Sequence, residues 1–225
     1  MTNTIEIFED RKSEIEFYYS VIVDYEEKGK VVINTIDNTK FFRIMKSNFI
    51  LMLYNLVESS ISNGLEEIYE NVKSDNCKYE DLVEEIQNIW RDFKISEIYK
   101  PESLLKTYTN KVKYIVDSIT SGVPIVLHKG MYGINGNLNA KKIKEICYKH
   151  RIRCNVIDDK QILDNVRIKR NALAHGDDSF SKCARDLTVS DLENIKDTII
   201  IFIKGILNGM QKYCDEKEYL KQNAV

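Results

Sequence analysis

The 225-residue chain is 43% hydrophobic and 30% charged with a net charge of −2, the balance of a soluble globular protein rather than a disordered one. Only two prolines and nine glycines argue against a turn-rich β fold and for long helices. No run of about 18 apolar residues occurs, so a spanning helix is not expected, and the polar, acidic opening Met1–Lys12 does not read as a signal peptide.

The charge is unevenly spread. Residues 1–128 hold 15 basic and 22 acidic side chains, whereas residues 129–225 hold 18 basic and 13 acidic. The densest positive part, Lys129 to Arg170, has 11 basic against 4 acidic residues. Such asymmetry suits a polyanionic partner on that side, and equally a solvated lysine face. Five scattered cysteines (Cys77, Cys147, Cys154, Cys183 and Cys214) form no Cys-x-x-Cys pair and read as free thiols of a reducing cytosol. The expected location is therefore cytoplasmic. Cys147 and His150 are the closest cysteine–histidine pair. With no second pair to complete a zinc site, neither a metal nor a cofactor is expected.

In chain order, Glu6 to Glu27 has the three- and four-residue apolar spacing of a helix. Lys30 to Asn38 is short and β-branched, a small strand or an extended connection. Asn38 or Thr39 caps a long helix from Lys40 to about Val72. The centre of that helix, Phe49 to Val57, is apolar on nearly all sides, as a helix buried in a bundle is. A carboxylate beside it, Glu58, must find a partner or face a cleft. Tyr79 to Phe93 reads as a third helix with Trp90 as a packing anchor. Pro101 opens a fourth helix, which runs to a stop at Gly122.

Residues 123–139 are irregular. Lys129 to Asn137 carries three glycines in nine residues but lacks the Gly-Lys-Ser/Thr ending of a phosphate loop, and reads as an insert or a substrate-facing loop. Asn137 or Asn139 caps a strongly basic helix, Ala140 to Arg151, in which Lys141 and Lys142 are candidate nucleic-acid contacts. His150 reads as a surface residue of its last turn and His128 as structural. Asp158 or Asp159 caps a helix from Lys160 to His175. Ser190 with Glu193 suggests a capping box for a last helix with a broad apolar face, and the tail from Lys217 to Val225 reads as frayed. The chain is expected to be one all-α domain, 1–225.

The segment Arg167-Ile168-Lys169-Arg170-Asn171-Ala172-Leu173-Ala174-His175-Gly176 concentrates the candidate chemistry. Asn171 and His175 share a helix face one turn apart, with Arg167 one turn before them. Arg170 flanks that stripe, Val166 and Leu173 mark the core side, and Gly176 suits the left-handed residue that ends a helix.

Arg170, four intervening residues and His175, with a polar Asn171 directly after the arginine, resemble the Arg-x4-6-His motif of HEPN domains. These are all-helical nucleotide-binding domains found in many prokaryotic toxins and defence proteins. The stretch Tyr54 to Ser59 resembles, more loosely, the long second helix of bacterial HEPN-like nucleases. The resemblance implies a HEPN-like helical bundle with a long central helix. It also implies a metal-independent endoribonuclease whose two motif copies face each other across a homodimer. Arg170, Asn171 and His175 would be catalytic, Glu58 supporting, and Arg167, Lys169, Lys141 and Lys142 RNA-binding. An antitoxin or regulatory partner is a further expectation. The Arg-x4-His-x-Tyr variant, whose tyrosine can receive a nucleotide, is absent, because Asp177 occupies that position.

The chemistry suits these residue types. Cleavage through the 2′-OH needs a base, an acid and a cation on the phosphorane. Histidine serves either proton role near neutral pH, and arginine grips two phosphate oxygens at once. A second reading stays open: a non-catalytic helical module that binds nucleotide, RNA or a protein partner.

Overall fold

The computed structural model describes residues 1–28, 37–98, 105–131, 133–134, 136–156 and 160–222. Among these residues eight α-helices run in order: α1 (Thr2–Lys28), α2 (Asn38–Ser74), α3 (Glu84–Ile98), α4 (Leu105–Thr120), α5 (Ala140–Lys149), α6 (Lys160–His175), α7 (Phe180–Cys183) and α8 (Val189–Asp215). Among the described residues β structure is confined to two isolated bridges, Lys78 with Pro124 and Leu82 with Leu220.

The 37-residue α2 is the axis of the bundle. Phe49, Ile50, Leu53, Tyr54, Leu56, Val57, Ile61, Leu65 and Ile68 are all fully buried along it, because α1, α6, α7 and α8 pack around it. A helix this apolar is stable only when wrapped on several sides. α8 supplies the facing wall through Ile199, Phe202, Ile203, Ile206, Leu207 and Met210. Its broad apolar face is thus consumed by the core. Lys46, also buried, lies on α2 and directs its ammonium to the carbonyls of Arg185 and Leu187. That contact ties the link before α8 to the axis and satisfies a charge that burial would otherwise penalise. Trp90 is buried against Tyr79, the packing anchor that its place among apolar neighbours suggests.

Several local expectations need correction. Asp37, not Asn38 or Thr39, caps α2 by accepting from Lys40 N–H. The third helix is broken: Tyr79–Asp81 forms a short 3-10 turn and α3 starts at Glu84, because Val83 N–H is taken by the carbonyl of Tyr219. Thr188, not Ser190, caps α8, forming its capping box with Asp191. The tail is not frayed where it is described. Tyr219 is 1% exposed, its hydroxyl donates to Asp75 Oδ2, and Lys221 N–H donates to Asp81 O. Backbone pairing docks this stretch, which its polar side chains do not announce.

His150 is 2% exposed rather than on the surface. Its Nδ1 lies 2.8 Å from Ile146 O and its Nε2 2.8 Å from the Tyr69 hydroxyl. The pairing fixes the tautomer: Nδ1–H donates to the carbonyl and the tyrosine donates to Nε2. Burial pushes its pKa down to about 4. His128 is exposed at the backbone turn, with its ring edge-on to Phe93 at 4.7 Å. The expected connection over Lys30–Asn38, Pro101, and the caps Asp158 and Asp159 fall wholly or mainly outside the described residues.

Candidate active site on the sixth helix

The α6 helix ends where its sequence says it should. Val166 and Leu173 are buried, Gly176 adopts φ +77°, and Asp178 N–H closes the end on Ala172 O. The remaining faces carry the candidate residues.

Arg170 does not point to solvent. Its Nη2 lies 3.1 Å from Glu58 Oε2 of α2, and its Nη1 donates to Gly136 O at 2.9 Å and to Asn171 Oδ1 at 3.1 Å. The guanidinium also lies over the Tyr54 ring, 4.7 Å from its centroid, in the favourable cation–π range. Tyr54 is one helical turn before Glu58 on α2, so a single face of the axis supplies both floor and counterion. The buried Tyr54 hydroxyl accepts from Leu138 N–H at 2.8 Å. Burial, with the Glu58 carboxylate second, pushes its phenol up to about 12. Glu58 Oε1 is buried without a hydrogen-bond partner, next to Gly136.

A second layer lies one turn earlier on α6. Arg167 Nη1 donates to Asn137 Oδ1 at 2.9 Å, and Asn171 Nδ2 donates to the same oxygen at 3.0 Å. The Arg167 Nε lies 3.6 Å from Asp164 Oδ1, too far for a hydrogen bond. The amide of Asn171 is therefore committed at both ends, to Arg170 and to Asn137, and not to His175. Residues 136–138 form a strap across α6, with Gly136 at φ +67°. That left-handed conformation is one glycine adopts without strain.

His175 stands apart. It is exposed and makes no hydrogen bond among the described residues. Five residues beyond Arg170, it lies about 140° round the helix from it. It shares its side with Ile168, which is 55% exposed. One copy of the chain thus presents an anchored arginine on one side of α6 and a free imidazole with an exposed isoleucine on another.

The candidate RNA-binding residues divide. Lys141 and Lys142 of α5 line a groove of about 430 Å³ together with Asn137, the strap residue that Arg167 holds. Lys169 is elsewhere, donating to Cys183 O at 2.6 Å on the side facing α7. The strap residues Gly136 and Asn137 carry no motif signal of their own, and the resemblance of the stretch Tyr54 to Ser59 gives the Tyr54 ring no role. The i, i+4 placement of Tyr54 and Glu58 is the one sequence feature that pairs two of these partners. Among the described residues no group of three or more His, Cys, Asp or Glu side chains converges to hold a metal, and no helix is long and apolar enough to cross a membrane.

The domain is a helical bundle in which a long buried α2 packs beside α6 and its Arg-Asn-x3-His sequence. The chain belongs to the HEPN family: the family model described as MAE_28990-like HEPN matches residues 1–219. No curated protein and no solved structure gave a significant match.

Proposed function

We propose that the protein is a metal-independent endoribonuclease that cleaves RNA through its own 2′-OH, with an active site completed by a second copy of the chain. The observation that carries this reading is the free, exposed His175 on the same helix as the anchored Arg170. A proton-transfer group needs access to substrate, and a phosphate-binding arginine gains from being held in place. In one copy the two groups face different ways. A symmetric pair of α6 helices meeting about Ile168 would bring two imidazoles into one cleft.

There, one His175 takes the 2′-OH proton, and the 2′-oxygen attacks the adjacent phosphorus. The bond to the 5′-oxygen breaks as the partner's His175 protonates it. Arg170, its long side chain swung from the strap round α6 toward that cleft, would neutralise charge on the phosphorane, with Asn171 beside it to position it. Lys141, Lys142 and Arg167 would carry the flanking phosphates. In a toxin or defence effector of this kind, an antitoxin or regulatory protein would restrain the site. The products test the chemistry: fragments ending in 2′,3′-cyclic phosphate, and no cleavage of the same strand made with 2′-deoxyribose. Cleavage of the deoxy strand would overturn the 2′-OH route.

The second reading, a non-catalytic binding module, draws on a specific observation too. Every interaction of the Arg170 guanidinium described above is internal, as expected of a structural pin. A folded His175→Ala protein that binds RNA as well as wild type, where neither cleaves, would favour that reading.

A further inference from the structure

Three nitrogens on one side of α6 converge on two oxygens of the strap. Arg167 Nη1 and Asn171 Nδ2 both donate to Asn137 Oδ1, and Arg170 Nη1 donates to Gly136 O, all within 2.9 to 3.0 Å. Two guanidinium groups and an amide focused on a pair of oxygens make the donor set that recognises a phosphodiester. Neither strap oxygen carries a formal charge. The donors are therefore satisfied, but by weaker acceptors than an anionic oxygen would be.

We infer that Arg167, Arg170 and Asn171 form a phosphodiester cradle, and that Gly136 O and Asn137 Oδ1 hold its place in the free protein until an RNA phosphate displaces them. The inference rests on the reading of α6 as a phosphate-handling site, and it adds the strap as the element that controls entry.

The surroundings favour displacement. Asn137 is exposed, so water can replace its contacts as it leaves. Its neighbour Leu138 is held on both sides of its peptide by Tyr54, which gives the strap a fixed end. Gly136, at its positive φ, gives it a pliable one. The strap also stands between two openings. One, of about 430 Å³, is lined by Asn137, Lys141 and Lys142. The other, of about 600 Å³, is lined by Gly136, Glu58, Arg11 and Lys129. Both openings place basic side chains beside the strap, Lys141 and Lys142 against Glu145 in one, and Arg11 and Lys129 against Glu14 and Glu58 in the other. Under the strap, Glu58 Oε1 lacks a donor; lifting Gly136 would let water reach it, although the carboxylate, offset by its pairing with Arg170, opposes an anion at this spot. The closed strap is thus imperfectly satisfied at one atom.

An equilibrium between a strapped and an open cradle lowers the apparent affinity by the fraction open. Asn137→Ala removes the main placeholder and should tighten phosphate binding about 3- to 10-fold by that relation. Asn137→Asp puts an anionic oxygen in the same place and should weaken binding by a similar factor. Asn139→Asp, two residues away at the start of α5, adds the same charge outside the cradle and measures the effect of charge alone. A purely structural Asn137 would give a different pattern, with binding falling or unchanged in Asn137→Ala as stability falls.

The experiment uses the full chain carrying His175→Ala, so that RNA stays intact, at low salt in EDTA. Inorganic phosphate is titrated by thermal shift and a labelled 20-nucleotide single-stranded RNA by anisotropy. Tighter binding of both by Asn137→Ala, with weaker binding by Asn137→Asp than by Asn139→Asp, is expected. Asn137→Ala binding phosphate no better than Asn137 overturns the inference, as does Asn139→Asp weakening binding as much as Asn137→Asp. The phosphate titration does not depend on nuclease activity. A failure of the strap and a failure of the nuclease reading are therefore told apart.

Discussion

Removing the counterion of Arg170 tests the arrangement of the site through stability alone. Glu58 and Arg170 lie 3.1 Å apart with side chains 20% and 22% exposed. An exposed pair couples by about 0.2–1 kcal/mol, whereas deleting one partner of a fully buried pair costs about 3–5 kcal/mol. With about four-fifths of each side chain covered, the coupling should fall between these limits, near 1.5–2 kcal/mol. The unpartnered Glu58 Oε1 argues for the lower part of that range, because some desolvation of the carboxylate is uncompensated. Glu58→Ala alone should cost about 2 kcal/mol, a fall in Tm of about 4–8 °C for a chain of this size. Arg170→Ala should cost at least as much, since it also loses Gly136 O and the Tyr54 ring. Urea unfolding of wild type, both single variants and the double variant closes a double-mutant cycle. A coupling below about 0.5 kcal/mol would refute the reasoning and reduce the pair to a surface contact.

Other consequences follow from the same structure. His150, whose pKa is depressed to about 4 by burial, is neutral in the fold and protonates more readily when unfolded. Its contribution is therefore full above the unfolded value near 6.5 and declines as pH falls toward 4. The loss should be about 2 kcal/mol at pH 5, and comparison of urea midpoints at pH 7.5 and 5 should show a flatter profile for His150→Gln; an identical profile would contradict the assignment. Lys141→Ala and Lys142→Ala should each lower the salt dependence of RNA binding by about 0.7 in log–log slope. Lys169→Ala should leave that slope unchanged and cost stability instead, since its ammonium holds Cys183 O. A fall in slope for Lys169→Ala would put it on the RNA path. Gly209→Ala should destabilise by about 1–3 kcal/mol, because an added Cβ would sit 2.5 Å from Arg153 O; a neutral effect in thermal unfolding would show that the segment gives way.

Much of the helical framework was legible because its signals are local. The apolar run of α2, the buried Val166 and Leu173 of α6 and the terminating Gly176 each announce their role within one or two turns of chain. The bounds of α6 at Lys160 and His175 follow from that periodicity. What was not legible depends on distant partners. His150 is buried because Tyr69, 81 residues away, receives it. The tail docks through backbone bonds to residues 81 and 83, which no side-chain pattern records. Asn137 lies in a glycine-rich loop without periodicity, and its partners Arg167 and Asn171 are 30 and 34 residues on. Glu58 was singled out because a carboxylate beside a buried helix centre needs a partner, and that argument is physical rather than positional. Asn171 turns toward Arg170 and the strap rather than His175 because Asn137, 34 residues away in the chain, accepts from its amide.

The central claim is that α6 carries a metal-independent ribonuclease site that depends on His175. Its most direct test is cleavage of mixed RNA in EDTA by purified wild type and His175→Ala, with circular dichroism on both. The account predicts fragments from wild type and none from an equally helical His175→Ala protein. Equal cleavage by the two proteins, or no cleavage by a folded wild type, would contradict it.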